Sequence, residues 1–175
     1  MIGAAAAGLA FAADQISKYW LIQVYDVGAR QPIRLAPFLD VVLAWNRGVS
    51  YSLLSANGPL GRFGLLALAA AAMLALALWL WRTTDRLTAF ALGLVMGGAL
   101  GNALDRFNFG AVADFFYLHT TLPVGPLANY VFNVADCAIV AGVALLLYES
   151  LRPRPTAPAA LETAATKSPR TSRTS

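Results

Sequence analysis

Two aspartates, Asp114 in Val112-Ala113-Asp114-Phe115 and Asp136 in Phe132-Asn133-Val134-Ala135-Asp136, stand at the ends of strongly apolar segments. An aspartate at mid-bilayer costs roughly 2.5–3.5 kcal/mol on insertion scales, so a carboxylate in such a setting needs a partner, water or a chemical task. Two carboxylates brought to one place cannot both ionise cheaply and would hold one proton between them. One could then take a proton from water while the other gives one to a carbonyl oxygen. That is the chemistry of aspartyl hydrolysis. Competing chemistries lack parts. A nucleophilic pair would have to use Cys137 and His119, but Cys137 lies in an apolar helix with no feature that would lower a thiol pKa. No H-E-x-x-H or other zinc spacing occurs, and no glycine loop with lysine for phosphates.

Further polar residues interrupt the same apolar runs. Asn102 and Asp105 are three apart, followed by Arg106, and Asn133 and Asp136 repeat that spacing. Residues three apart share a helical face. Asp14 and Lys18 are four apart, where opposite charges pair and lower the cost of burial. Taken singly, Asp14 with Lys18 reads as a buried ion pair, Asp105 with Arg106 as an interfacial salt bridge, and Asp114 as a surface carboxylate. Asp136 has no basic residue within a helical turn. If these faces converge, they form one polar pocket.

The elements that must position them belong to a membrane protein. Hydrophobic residues make up 58% of the 175 and charged residues 13%, against about 25% charged in a soluble domain. Charge-free stretches at Phe63–Trp81 and Leu87–Leu104 reach the roughly 17–25 residues that a spanning helix needs. With two less pure segments, the reading is four spans, at about 2–22, 62–81, 87–104 and 130–148. The first span contains Ala10-Phe11-Ala12, but no basic residue precedes its apolar stretch, so it reads as retained rather than as a cleaved leader. Residues 23–60 hold β-branched and aromatic runs broken by Pro32, Pro37 and Asn46-Arg47-Gly48, which predict a small outer β-platform. The link 105–129, with His119, Pro123, Gly125 and Pro126, reads as turn-rich. Residues 152–175 read as a disordered tail, and residues 1–151 as one membrane domain. Gly93, Gly97 and Gly101 recur every four residues and predict a face for close helix packing.

Arg82 and Arg86, with five basic residues beyond Leu151, outnumber Arg30, Arg34, Arg47 and Arg106 of the outer links. Basic residues favour the cytoplasmic side, so both termini are expected inside and the two aspartates outside. The formal charge of +4 comes largely from the tail and reads as a topology signal, with no nucleic-acid partner implied. The single cysteine excludes an internal disulfide.

Five segments in order, Asp14-Gln15-Ile16-Ser17-Lys18, Asn46-Arg47-Gly48-Val49-Ser50-Tyr51-Ser52, Gly98 to Arg106, Val112 to Phe115 and Phe132 to Asp136, resemble the lipoprotein signal peptidases, or signal peptidase II, of bacterial membranes. The resemblance covers Asp14 to Ile139. It implies a catalytic dyad of Asp114 and Asp136, supported by Asp14, Lys18, Asn46, Gly48, Asn102, Asp105, Arg106 and Asn133. It implies an all-α four-helix membrane bundle with a small extracytoplasmic β-cradle. The substrate it implies is a prolipoprotein whose cysteine already bears diacylglycerol, cut on the amino side of that cysteine. No metal or organic cofactor is implied, and membrane lipids are the only other partners of an expected monomer in the bacterial plasma membrane. Tyr51 and Cys137 depart from the family pattern, as does a longer stretch between Asp114 and Asp136. A rival from another class is a small proton-coupled transporter with Asp14, Asp105 and Asp136 as relays. It requires acidic groups spread through membrane depth.

Overall fold

Small residues at three- and four-residue intervals give the first helix, α1 (Ile2–Tyr19), a flat buried stripe of Gly3, Ala6, Ala10, Asp14 and Lys18. A π-helical turn, Trp20–Val24, extends it. The computed structural model describes residues 1–47, 59–120 and 129–152. A short helix α2 (Val27–Arg30) leads into strands β1 (Ile33–Ala36) and β2 (Leu39–Asn46). Helices α3 (Pro59–Arg82) and α4 (Arg86–Phe109) follow, then β3 (Val112–His119), β4 (Asn129–Phe132) and α5 (Val134–Leu151).

Helix α4 is the centre of the bundle, and glycine lets two helices approach it. A Cβ at Gly93 would strike the Gly3 carbonyl, one at Gly97 the Ala7 carbonyl, and one at Gly101 the Asp14 carboxylate. The expected packing stripe therefore faces α1. The next face of α4 receives α5, with Gly98 against Ala135 and Ile139, and Gly142 of α5 against Ala91 and Val95. Such packing suits a setting in which van der Waals contact rather than hydrophobic transfer joins helices. Helix α3 lies against α4 and turns Phe63, Leu68, Leu74 and Leu78 outward, so that its outer face is apolar. By length and composition α4 and α5 could each cross a membrane.

Helix boundaries follow their caps. Asp85 accepts a hydrogen bond from the Thr88 N–H at 2.6 Å and starts α4. Gly110, at φ +71°, ends it with its N–H on the Arg106 carbonyl, a left-handed geometry that glycine adopts without strain. Asn133 and Asp136 form a reciprocal capping box that starts α5.

The four strands form one antiparallel sheet in the order β1-β2-β3-β4. The fold is thus mostly helical with a small antiparallel sheet, a mixture rather than an all-α chain. Strands β1 and β2 fall inside the expected platform at 23–60. Strands β3 and β4 correct two expectations. The link expected at 105–129 begins as the last turn of α4, to Phe109, and continues as a strand from Val112, where Val112, Phe115, Phe116 and Tyr117 suit a sheet; residues 121–128 lie outside the described residues. The expected helical span at 130–148 begins at Val134, because Tyr130-Val131-Phe132 pairs with Leu118, Tyr117 and Phe116 as β4. Val27, Val41, Ala113 and Phe115 form the core beneath the sheet. Alternation along β3 then puts Asp114, between Ala113 and Phe115, on the opposite face. His119 lies in β3 with Nε2 3.2 Å from Asp40. The tail from residue 153 and Gly48 lie outside the described residues.

Candidate active site

The sheet and the capping box bring Asp114 and Asp136 to the same end of the bundle. Asn133 touches both. Its Nδ2 donates to Asp114 Oδ1 at 2.6 Å, and its Oδ1 accepts from the Asp136 N–H at 2.9 Å. The Asn133 N–H in turn donates to Asp136 Oδ2 at 3.2 Å. Asn46, at the end of β2, donates to Asp114 Oδ2 at 3.2 Å. Asn102, from α4, donates to Asp136 Oδ1 at 3.0 Å. Asp114 is 3% exposed. Burial first, and the neighbouring Asp136 second, raise its pKa from 3.8 to about 6, against the lowering pull of the Asn46 and Asn133 hydrogen bonds and of Lys18.

A buried charge cluster supports this pair from beneath. Lys18 Nζ lies 2.7 Å from Asp14 Oδ2, 2.8 Å from Asp105 Oδ2 and 3.2 Å from Asn102 Oδ1. An ammonium has three N–H donors and no acceptor, so these contacts use it fully. The consequence passes outward. Because Lys18 can only donate, Asn102 must turn its oxygen toward it, and that oxygen also accepts from Asn133 Nδ2 at 3.2 Å. The Asn102 amine is left facing Asp136. Asn133 is fixed in the same way, since its oxygen caps the Asp136 N–H and its amine must face Asp114. Two amide groups that could each be turned either way thus present donors to both carboxylates.

Asp14 has a second task. Its Oδ1 accepts from the Ala135 N–H at 3.0 Å, satisfying an otherwise unpaired amide in the first turn of α5 from a helix far away in sequence. The Asp14–Lys18 ion pair stands as expected. The interfacial Asp105–Arg106 pair is replaced, because chain neighbours do not face each other on a helix. Asp105 turns inward to Lys18, to Gln15 Nε2 at 3.3 Å and to the Ala113 N–H at 3.2 Å. Arg106 Nη1 donates to the Asn102 carbonyl at 3.4 Å. Gln15 is the residue that reasoning from sequence missed. Its Nε2 also reaches Asp14 and the Gly101 carbonyl, and an amide beside Asp14 within an apolar helix was the available signal.

Of the expected site residues, Asp14, Lys18, Asn46, Asn102, Asp105, Arg106, Asp114, Asn133 and Asp136 meet at this end of the bundle. Among the described residues of α1, α3, α4 and α5 and their caps, the remaining acidic groups, Asp85 and Glu149, lie at the other end. The stretch between is apolar, which gives a transmembrane proton relay nothing to pass through.

Solved structures share this architecture. A bacterial membrane enzyme determined by the in meso method at 2.3 Å superposes with a TM-score of 0.71 at 23% identity, covering 89% of this chain and 93% of its own. A second, determined at 1.9 Å, gives the same TM-score at 24% identity. The likeness extends to the whole fold, a helical bundle with a sheet at one end. Residues 6–152 match the family model described as signal peptidase (SPase) II. A lipoprotein signal peptidase of Methylocella silvestris is 60% identical over 151 residues, 86% of each chain. One from Beijerinckia indica is 53% identical over 150 residues, 86% of this chain and 87% of its own. The chain belongs to the signal peptidase II family and is a peptidase, which leaves the transporter reading without support.

Proposed function

We propose that the protein is an aspartyl endopeptidase that removes signal peptides from prolipoproteins already bearing diacylglycerol, cutting on the amino side of the modified cysteine. Asp114 and Asp136 share one proton and hold a water between them. The ionised member takes a proton from the water as its oxygen bonds to the scissile carbonyl carbon, and the protonated member gives its proton to the carbonyl oxygen. On collapse the C–N bond breaks and a proton passes to the cysteine nitrogen, leaving an acid and an amine. Neither member is assigned as base. An Asp114 held up to about 6 keeps a protonated fraction near neutral pH that an ordinary aspartate lacks. Asn46, Asn102 and Asn133 orient the carboxylates, while Asp14, Lys18, Asp105 and Arg106 hold those amides in place.

The observation that carries this reading is the single residue Asn133, at the start of α5, whose side chain donates to the Asp114 carboxylate and whose backbone N–H donates to the Asp136 carboxylate. Support for a lipidated substrate comes from an apolar groove of about 410 Å³ beside Asp136, lined by Tyr130, Phe132, Val140, Ala141 and Ala144. Helices α1, α3, α4 and α5 are the four spans of a single membrane domain at residues 1–151. Both termini lie in the cytoplasm, the dyad at the outer face of the bacterial plasma membrane, and the enzyme works as a monomer without metal. The test is incubation of purified protein with a diacylglyceryl-modified prolipoprotein and with its unmodified form. Only the modified form should be cut. Asp114→Asn and Asp136→Asn should each reduce turnover by about 10²–10⁴-fold while the protein remains folded. Near-normal turnover in either variant would overturn the dyad.

A further inference from the structure

A wide cavity opens at the end of the bundle opposite the carboxylate pair. It measures about 800 Å³ and lies between the last turn of α3, the first turn of α4 and the last turn of α5. Arg82 and Arg152 line it, as do Asp85 and Glu149, with Trp79 at its margin. Asp85 spends one oxygen on the α4 cap. Among the described residues, no ion pair within 4.0 Å joins any of these four charged groups. The cavity therefore presents charges of both signs without a direct ion pair: Arg152 acts on Asp85 only through space, and its guanidinium rests over the Tyr148 ring at 5.5 Å. Ser150 and Thr88 add hydroxyls to the same wall.

The location narrows what could fill it. Three predominantly apolar helices end together here, so the cavity opens where hydrocarbon gives way to headgroups. Trp79 is 49% exposed, and a tryptophan with one apolar and one wet side is the residue typical of that boundary. A purely anionic ligand would satisfy the arginines and be repelled by Asp85 and Glu149. A headgroup carrying a phosphate and, a few bonds away, a primary ammonium would satisfy both sets. The phosphate suits the planar donor fork of arginine, and the ammonium can donate to carboxylates as a quaternary amine cannot.

We propose that this cavity is a binding site for the phosphoethanolamine headgroup of a membrane phospholipid, with phosphate on Arg82 and Arg152 and ammonium on Asp85 and Glu149. The site is remote from the carboxylate pair and anchors this end of the bundle at the membrane surface. The test reconstitutes the full chain into vesicles of equal parts phosphatidylethanolamine and phosphatidylglycerol, extracts it into detergent and counts retained lipid by native mass spectrometry. Phosphatidylethanolamine should be retained over phosphatidylglycerol, and Arg82→Gln with Arg152→Gln should lower retention by about tenfold, the loss expected of a charge-assisted contact. Cleavage of the lipidated substrate in detergent should be unchanged, which shows that the double variant is folded. Should that variant fail to insert, Glu149→Gln leaves every basic residue in place and should erase the preference between the two lipids. Equal retention of both lipids by the unaltered protein would overturn the proposal. So would full retention by the double variant, an intact preference in Glu149→Gln, or displacement of the lipid by inorganic phosphate.

Discussion

Replacing Asp114 by asparagine should stabilise the protein at neutral pH while removing its activity. A carboxyl whose pKa rises from 3.8 to about 6 on folding binds its proton more tightly in the folded state. Its contribution to stability is therefore full below 3.8, and it is lost as pH climbs through 6. A rise from 3.8 to about 6, at about 1.36 kcal/mol for each tenfold change in proton affinity, makes that loss about 3 kcal/mol. With Asp114 only 3% exposed, little solvent is available to screen it. Asparagine resembles the protonated carboxyl in shape and cannot ionise, so the variant escapes the loss. At low pH the comparison reverses slightly. The amide must turn one NH₂ toward either Asn133 Nδ2 or Asn46 Nδ2, a donor against a donor, which costs about 1 kcal/mol at any pH. The variant should accordingly be slightly less stable than the parent at pH 4 and more stable by about 2 kcal/mol at pH 7.5. For a chain of this size that is a rise in midpoint of about 4–8 °C. Thermal unfolding in one detergent, followed by tryptophan fluorescence from pH 4 to 8, reads the difference directly. Parallel midpoints across that range, or a less stable variant at pH 7.5, would refute the placing of Asp114 as a buried carboxyl held above its ordinary pKa.

Two further outcomes are expected. Gly101→Ala places a methyl on the Asp14 carboxylate and should lower stability by about 1–3 kcal/mol, whereas Gly8→Ala, which meets no atom within 4 Å, should be neutral or slightly stabilising; equal midpoints would remove the packing argument. On a Cys137→Ser background, a cysteine at Arg47 or Thr120 should react with an impermeant label from outside intact spheroplasts and one at Thr84 should not, the reverse pattern putting the dyad in the cytoplasm.

The long helices and their polar residues were legible because each rests on local chemistry: unbroken apolar runs, glycines in register, and carboxylates that an apolar segment tolerates only with partners. Asp14 beside Lys18 is a contact within one helix turn, and it stands as read. The boundaries near the site were harder. Tyr130-Val131-Phe132 continues the hydropathy of α5, and only pairing with β3 makes it a strand. The Asn-x-x-Asp spacing also carries two meanings. At Asn102 and Asp105 it sets two side chains on one face of a continuing helix, whereas at Asn133 and Asp136 it is the capping box that begins one. Nor could the sequence show that Asp14 caps α5, or that Lys18 reaches Asn102, since these contacts span 121 and 84 residues. They exist only because Gly101 lets α1 lie directly on α4. That dependence gives the repeated spacing its sense. A lysine that can only donate fixes the amide of Asn102, a helix cap fixes that of Asn133, and each asparagine then has one way to face its carboxylate. The pair is oriented by groups with no freedom to turn, so Lys18 belongs to the architecture of the site although it touches neither Asp114 nor Asp136 through a direct ion pair.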